Sequence, residues 1–294
     1  MTAAFNSSRN RKSRRHASRR RFFRPLVERL EDRLLLAVRV WTGGDLANDL
    51  WSDADNWDTG VPVDGDDVVI PATANSAEVL FDGSVAGGAV TINSLSSDEP
   101  FRITGATLTV QGAGPFTMTA GLTLSGGTLD GSGTLSVSGA TTWSGGTMSG
   151  AGQTVTSGPL AITGNFQSLN TRTLTINGGA TLSSAIGLFA GEGAVITNNG
   201  LFDIQTDASL QFSGSGTQPT FSNPAAGTLR KSGGAGTTGF TLILNSAGAV
   251  EANSGTLSLN NGSTSTGSFT AAATTTLNFG GGTHDLNAGS SVSG

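Results

Sequence analysis

Few residues of this 294-residue chain could take part in catalysis or hold a metal. The chain contains no Cys and only two His, His16 and His284. Thiolate nucleophiles, Cys-ligated zinc and disulfides are therefore excluded, and a site built from several His cannot form. A Ser-His-Asp triad would have to use His284, but no Gly-x-Ser-x-Gly motif accompanies it. We predict no catalytic residue, no metal ligand and no cofactor, and we place His284 in a loop.

Carboxylates are the other candidates for chemistry. Residues 101–294 contain six acids and four basic residues, from which an enzyme acting on polysaccharides would have to build its acid and base. If the apolar neighbours of Asp203 point inwards, Asp203 and Asp207 face outwards together, with Cα atoms about 13 Å apart. Glycosidase carboxylates stand about 5–9.5 Å apart. The sequence therefore favours a non-enzymatic protein, with a polysaccharide-binding or polysaccharide-degrading enzyme as the alternative.

Residues 41–100 hold twelve acids and no Lys or Arg. Ca²⁺ prefers several oxygen ligands at once. An EF-hand that starts at Asp53 fails, because Trp57 occupies its fifth position and Asp58 its sixth. We favour a solvated acidic loop with weak calcium binding at most, and irregular calcium sites stay open at two places. These are Asp53, Asp55 and Asp58, and Asp64, Asp66 and Asp67.

Charge divides the chain into three segments. Residues 1–40 hold twelve Lys and Arg against three acids, 41–100 are acidic, and 101–294 are close to neutral. We place the segment boundaries near residues 40 and 100. The basic segment lacks the spaced aromatic residues of a base-stacking surface, so no nucleic-acid partner is predicted. No run approaches ~18 apolar residues, so no membrane span is predicted.

The basic segment is predicted to act in export or sorting. Residues 18–24, read Ser-Arg-Arg-Arg-Phe-Phe-Arg, resemble a twin-arginine export motif, but five charges in residues 25–33 stand where a signal peptide needs an apolar region. Leu26, Leu30 and Leu34 recur every four residues. This spacing predicts a short amphipathic helix in a segment that is otherwise mostly disordered.

Residues 27–36 carry a family resemblance. They read Val-Glu-Arg-Leu-Glu-Asp-Arg-Leu-Leu-Leu and resemble the N-terminal Leu-Glu-Pro-Arg-x-Leu-Leu element of large planctomycete surface proteins. Asp32 stands where that element has Pro. The resemblance implies a secreted or cell-surface bacterial protein, whose residues 1–40 meet the export or sorting machinery.

Three of the four Trp lie in the acidic segment, at Trp41, Trp51 and Trp57. With Val61-Pro62 and the run Asp64-Gly-Asp-Asp-Val-Val-Ile, they resemble the segment that begins the β-helical passenger region of large bacterial surface and autotransporter-like proteins. The resemblance implies that residues 41–100 cap the first coils. Large amphipathic rings suit that role, whereas exposed rings would instead stack on sugars.

From residue 101 onwards, alternating apolar pairs recur between Gly, Asn, Ser and Thr. A period of two predicts strands with one buried face. Residues 124–133 align with 143–152 at an offset of 19, and Leu257/Leu259 recur at Leu277/Phe279 after 20. The pairs are Leu108/Val110, Leu122/Leu124, Leu135/Val137, Leu160/Ile162, Leu174/Ile176, Leu210/Phe212, Leu242/Leu244, Leu257/Leu259 and Leu277/Phe279.

A recurrence of about 20 residues predicts an all-β solenoid, a right-handed parallel β-helix of about ten coils. Gly and Asn at Asn177-Gly178, Asn199-Gly200 and Asn261-Gly262 would supply corners with positive φ. The same pairs could form two-residue hairpins in an antiparallel sandwich, which is the alternative fold. Gly/Ser/Thr low complexity without a fold is the third interpretation.

The repeats also resemble the passenger repeats of bacterial adhesins and autotransporter-associated β-strand repeats. This resemblance implies surface display and attachment. The predicted function is a structural or adhesive rod that binds glycans or other surface proteins through outer faces rich in Ser, Thr and Asn. Because the repeat pattern continues to Gly294, a terminal coil would expose strand edges, and end-to-end self-association is predicted.

Overall fold

The computed structural model describes residues 37–72, 77–112 and 115–294. The predictions for residues 1–36, including the sorting element and its helix, lie outside these residues. The described part consists of short strands and two 3₁₀ turns, Ala54–Asn56 and Ala86–Gly88. None of the described helices is long and apolar enough to cross a membrane.

The described strands form three parallel sheets. Sheet 1 contains β1 (Val38–Val40), β2 (Asp67–Ile70), β5 (Ser94–Ser97), β8 (Phe116–Met118), β11 (Thr134–Val137), β14 (Gln153–Thr156), β17 (Thr173–Ile176), β20 (Val195–Asn198), β23 (Thr220–Asn223), β26 (Ile243–Ser246), β29 (Ser263–Ser265) and β32 (His284–Leu286). Sheet 2 contains β3 (Val79–Phe81), β6 (Phe101–Ile103), β9 (Gly121–Leu124), β12 (Ala140–Trp143), β15 (Leu160–Ile162), β18 (Ala180–Leu182), β21 (Leu201–Ile204), β24 (Thr228–Lys231), β27 (Ala249–Ala252), β30 (Ser268–Ala271) and β33 (Ser291–Ser293). Sheet 3 contains β4 (Ala89–Ile92), β7 (Thr107–Val110), β10 (Thr128–Asp130), β13 (Gly146–Met148), β16 (Gln167–Asn170), β19 (Gly187–Gly191), β22 (Ser209–Phe212), β25 (Thr237–Phe240), β28 (Thr256–Leu259) and β31 (Thr276–Phe279).

The chain visits the three sheets in turn and so forms a solenoid. One coil is a strand of sheet 1, then of sheet 2, then of sheet 3, and about ten such coils follow one another from β2 to β31. We call the turn from sheet 1 to sheet 2 corner 1, from sheet 2 to sheet 3 corner 2, and from sheet 3 to the next coil corner 3. The predicted parallel β-helix is confirmed, whereas its right-handed winding stays a prediction.

Alternation along each strand builds the core. In β7, Leu108 and Val110 are buried while Thr107 and Thr109 are partly exposed, and the same pattern repeats through most coils. Stacked coils place these apolar side chains in columns, because partners in neighbouring coils carry the same side-chain direction. One contiguous cluster of buried residues results, from Trp41 to Phe269.

The antiparallel sandwich is excluded, because every ladder between the described strands is parallel and only the isolated bridge Trp41–Trp57 is antiparallel. The Asn-Gly pairs therefore form corners rather than hairpins. The expected positive φ occurs at Gly262, with a value of 77°. In the Asn177-Gly178 corner it falls on the next residue, Gly179, and the Asn199-Gly200 corner has none. That part of the prediction is wrong because corner length differs from coil to coil.

The charge composition changes near residues 40 and 100, but the solenoid continues through both positions. Strand β1 begins at Val38 and pairs with β2, so the solenoid includes residues of the basic segment. Arg39 makes an ion pair with Asp66 at 2.8 Å. The second coil, β5 to β7, passes residue 100 without interruption.

Candidate functional site

Asp203 and Asp207 do not face one another across a groove. Asp203 lies on the outer face of β21, where its Oδ1 accepts a hydrogen bond from Nε of Arg230 at 3.0 Å. Burial alone would raise the pKa of Asp203, but hydrogen bonds, led by that from Arg230, hold it below its ordinary value. Asp203 is thus an ionised partner in a cross-strand pair and has no free proton to donate near neutral pH.

Asp207 lies beyond the end of β21, in corner 2, and is bound to Lys231. The Lys231 side chain is fully buried, and its Nζ donates to Asp207 Oδ1 at 2.8 Å and to the carbonyls of Thr206 and Gly233 at 2.9 and 2.6 Å. The Lys231 hydrogen bond is the main cause that lowers the pKa of Asp207. The prediction that Asp203 and Asp207 share one outward side is wrong, because the strand ends between them and the chain turns.

A second basic side chain, Arg172, is also fully buried. It lies in corner 3 before β17, and its guanidinium reaches along the stack to two preceding corners. Burial lowers the pKa of Arg172 to about 10, while Asp130 opposes the shift. The side chain therefore stays charged at neutral pH. Its acceptors are Thr154 Oγ1 and the carbonyls of Gly131, Ser149, Gly133 and Gln153, at 2.8 to 3.3 Å.

His284 begins strand β32, so its prediction as a loop residue is wrong. Its Nδ1 lies 2.9 Å from Ser263 Oγ, and its Nε2 lies 3.0 Å from the carbonyl of Gly281. Compared with a Ser-His-Asp triad, the two ring nitrogens have exchanged roles, and a carbonyl rather than a carboxylate contacts the nitrogen that does not face the serine. Ser263 is buried, while the adjacent Asp285 is exposed on the outer face. The contacts hold the His284 ring in place and leave no triad.

The acidic segment uses its carboxylates to order its own turns. Asp53 accepts hydrogen bonds from Asn48 Nδ2 at 2.9 Å and from the amide of Asp55 at 3.0 Å, which together lower its pKa. Asp58 accepts from the amide of Val40 at 3.0 Å, the main cause of its lowered pKa. These oxygens already serve as caps and loop contacts.

The second group of carboxylates that the sequence left open for calcium is also internally bonded. Asp66 accepts from Arg39 and from the amide of Val63, Asp64 accepts from the amide of Thr91 at 2.7 Å, and Asp67 accepts from Asn93 Nδ2 at 2.8 Å. In the part of the chain that the structure describes, no three acidic or His side chains come together as metal ligands could.

Trp41, Trp51 and Trp57 form one buried edge-to-face cluster. Ring centroids are 5.1 Å apart for Trp41 and Trp57, and 4.8 Å apart for Trp51 and Trp57. Trp51 also packs on Phe81 of the first coil and on Phe101 of the second, at 5.3 and 5.9 Å. Because the three rings are buried, they cannot stack on a sugar, and their apolar faces cover the inside of the first coils.

The segment with these rings also bonds to the first coil. The amide of Trp41 donates to the carbonyl of Val69 at 2.9 Å, and the amide of Trp51 donates to the carbonyl of Leu80 at 2.9 Å. Residues 38–51 therefore cover the strand edges of sheets 1 and 2 at this end, which would otherwise present unpaired peptide groups.

Two shallow depressions lie on the outer faces of the described strands. One, of about 290 Å³, lies on sheet 1 and corner 1 and is lined by side chains such as Ser222, Asn245 and Thr264, which are register partners. The other, of about 310 Å³, lies on sheet 2, where Ala161 and Gly179 leave a low, mostly apolar surface. Hydroxyl and amide groups of the first can donate and accept hydrogen bonds, but the exposed lining of the first depression, like that of the second, is mostly apolar.

Sequence reasoning missed the two buried cations. The burial of Lys231 could have been predicted, because Leu229 and Lys231 are two residues apart in one strand and their side chains therefore point to the same face. Arg172 stands in a corner, where no alternation applies. Comparisons with protein-family models, with curated proteins and with solved structures gave no match to this chain.

Proposed function

We propose that this chain is a non-enzymatic structural and adhesive rod of a secreted or cell-surface bacterial protein. The observation that carries the proposal is that, in the described residues, the basic side chains form internal contacts while the outer strand positions are mainly uncharged. All five Lys and Arg side chains of the described residues are engaged in internal contacts, in ion pairs or with main-chain carbonyls. The outer strand positions are mainly Ser, Thr, Asn and small residues.

Attachment through such a surface rests on many weak polar contacts spread along the coils. A stack of coils repeats hydroxyl and amide groups about every 4.8 Å along its length, which suits glycans or other surface proteins as partners. Residues 1–40 would deliver the chain to the surface through the export or sorting machinery.

Surface labelling of intact cells tests the location. We expect a membrane-impermeant carboxyl reagent to label the full chain, and a variant without residues 1–36, which leaves β1 and the exposed carboxylates intact, to stay unlabelled inside the cell. Labelling of neither protein would contradict the proposal, while equal labelling of both would remove the role of the basic segment.

Binding and turnover are tested together on a polysaccharide panel. We expect retention of the purified chain without new reducing ends or unsaturated products. Turnover would favour the alternative of a polysaccharide-degrading enzyme.

A further inference from the structure

Two aromatic rings lie side by side on the outside of sheet 3. Phe166, just before β16, is 66% exposed, and Phe189, in β19 of the next coil, is half-buried. Their centroids are 6.0 Å apart and their planes differ by 14°. The exposed Ile186 lies in corner 2 of the next coil, just before the strand that contains Phe189. We call Phe166, Ile186 and Phe189 the aromatic patch.

Phe166 has a backbone conformation that disfavours its side chain. Its φ is +59°, in the left-handed region, where bulky residues are strained by about 1–3 kcal/mol. In the register, Phe166 corresponds to Gly145 of the preceding coil and to Gly187 of the next coil, and Gly187 has a positive φ of 126°. Glycine adopts this conformation without a steric penalty. The fold therefore does not require Phe166. Its strained backbone conformation places an aromatic ring in solvent.

Phe189 interrupts a row of hydroxyl side chains. Its position in the register is occupied by Thr128, Thr147 and Ser168 in the three preceding coils. Thr would satisfy this outer strand position at least as well. Both rings thus stand where neighbouring coils have a small or hydroxyl residue.

The surroundings of the patch are polar and almost uncharged. Gln211 follows Phe189 in the register, and Asn170 Nδ2 donates to Ser168 Oγ at 3.1 Å beside it. Asp130 is the only charged residue in the ten described strands of sheet 3. A nucleic acid or an anionic polymer would find no cations here.

We infer that the aromatic patch is a binding site for a neutral polysaccharide. A pyranose ring has a face of C–H groups that packs on aromatic rings, and hydroxyl groups at its edge that bond to Ser168, Asn170 and Gln211. This inference rests on the proposed adhesive function and deepens it. A second copy of the chain is the rival occupant, but two Phe rings and one Ile offer much less than the ~800 Å² per partner of a stable interface.

Affinity electrophoresis of the full chain in gels that contain neutral polysaccharides tests the site. Hydroxyethyl cellulose, mixed-linkage β-glucan, galactomannan and dextran are the probes, with pectin and alginate as anionic comparisons. We expect retardation by at least one neutral polymer, and about tenfold weaker binding for Phe166→Gly and for Phe189→Thr. Leu46→Ala, which truncates another exposed apolar side chain, should bind like the wild type.

The two variants replace each ring with a residue type that neighbouring coils have in its place, so unfolding does not obscure the result. Phe166→Gly should melt at the same temperature as the wild type or above, because it relieves the positive φ. Sedimentation velocity of wild type and Phe166→Gly at high concentration gives the second readout.

Three outcomes would overturn the inference. They are wild-type binding to none of the neutral polymers, Phe166→Gly binding with unchanged affinity, and a wild-type dimer that Phe166→Gly abolishes. With unchanged affinity, binding must use another face and the adhesive function stands. Conversely, failure of surface labelling would remove the adhesive function while purified-chain binding still decides the patch.

Discussion

Arg172 in corner 3 and Lys231 at the end of β24 place a cation inside the solenoid in two different ways. Arg172 directs all its side-chain hydrogen bonds to uncharged oxygens, from the two preceding corners and from the start of β14. Lys231 bonds to two carbonyls and to the carboxylate of Asp207, which is 47% exposed on its side chain. Stacked corners thus supply carbonyl groups that can hold a cation without a hydrogen bond to a carboxylate, although Asp130 also attracts Arg172 electrostatically. Where an acid takes part, the contact titrates.

Replacing Arg172 with Met should have the largest effect, a loss of about 3 kcal/mol in the free energy of unfolding. The buried oxygens would lose their donors, although Gly131 and Gly133 would keep main-chain N–H partners. Urea unfolding followed by far-UV circular dichroism measures the loss. The free energy of unfolding of Arg172→Lys should lie between those of the wild type and Arg172→Met, because Lys retains the charge but not the planar, forked donor group of Arg. A loss below about 1 kcal/mol for the Met variant would mean that the carbonyls do not need the cation.

Lys231→Met should cost less, about 2 kcal/mol, since two carbonyls lose a donor and Asp207 can turn to water. The same urea titration applies. Arg102→Met is the matched control, because its ion pair with Glu78 is on the surface and should be worth about 1 kcal/mol or less. Equal losses for Lys231→Met and Arg102→Met would contradict the buried role of Lys231.

The smallest effect is expected for Asp207→Asn, and it should depend on pH. Because the pKa of Asp207 is lowered in the folded chain, its contribution is fully present above the ordinary value of 3.8 and is lost as the pH falls below it. The stability difference between wild type and Asp207→Asn should therefore shrink on acidification. The difference between wild type and Arg172→Met should change less with pH, because the hydrogen-bond acceptors of Arg172 do not titrate in this range. An equal change with pH in the two stability differences would contradict the distinction between the contacts of Arg172 and those of Lys231.

Much of the fold could be predicted from local patterns. The alignment of residues 124–133 with 143–152 at an offset of 19 is the register that the structure shows, with Leu124 beside Trp143 and Thr128 beside Thr147. The offset of 20 between Leu257 and Leu277 is likewise confirmed. These predictions succeeded because successive coils there have equal length, so that sequence spacing equals spatial register.

The same reasoning failed where corners change length. Leu201 pairs with Thr228 after 27 residues, and Leu210 with Phe240 after 30. Most of the extra residues lie in corner 3 between β22 and β23, whereas Asp207 in corner 2 meets Lys231 at the end of β24. No spacing rule could bring that pair together, because it depends on how two unequal corners fold over one another.

The candidate site was predicted only in its general character. Outer faces rich in Ser, Thr and Asn follow from period-two alternation. The juxtaposition of Phe166 with Phe189 does not, because the first ring is presented by a corner and the second by a strand of the next coil.

By itself, the sequence determined that strands alternate, that they recur about every 20 residues and that their apolar halves stack. Only the tertiary structure decided which side chains from different coils meet, including the guanidinium of Arg172 with its carbonyls. The physical reason is that alternation and turn spacing are properties of a few neighbouring residues. Contacts across coils depend instead on the length and φ angles of every corner between them.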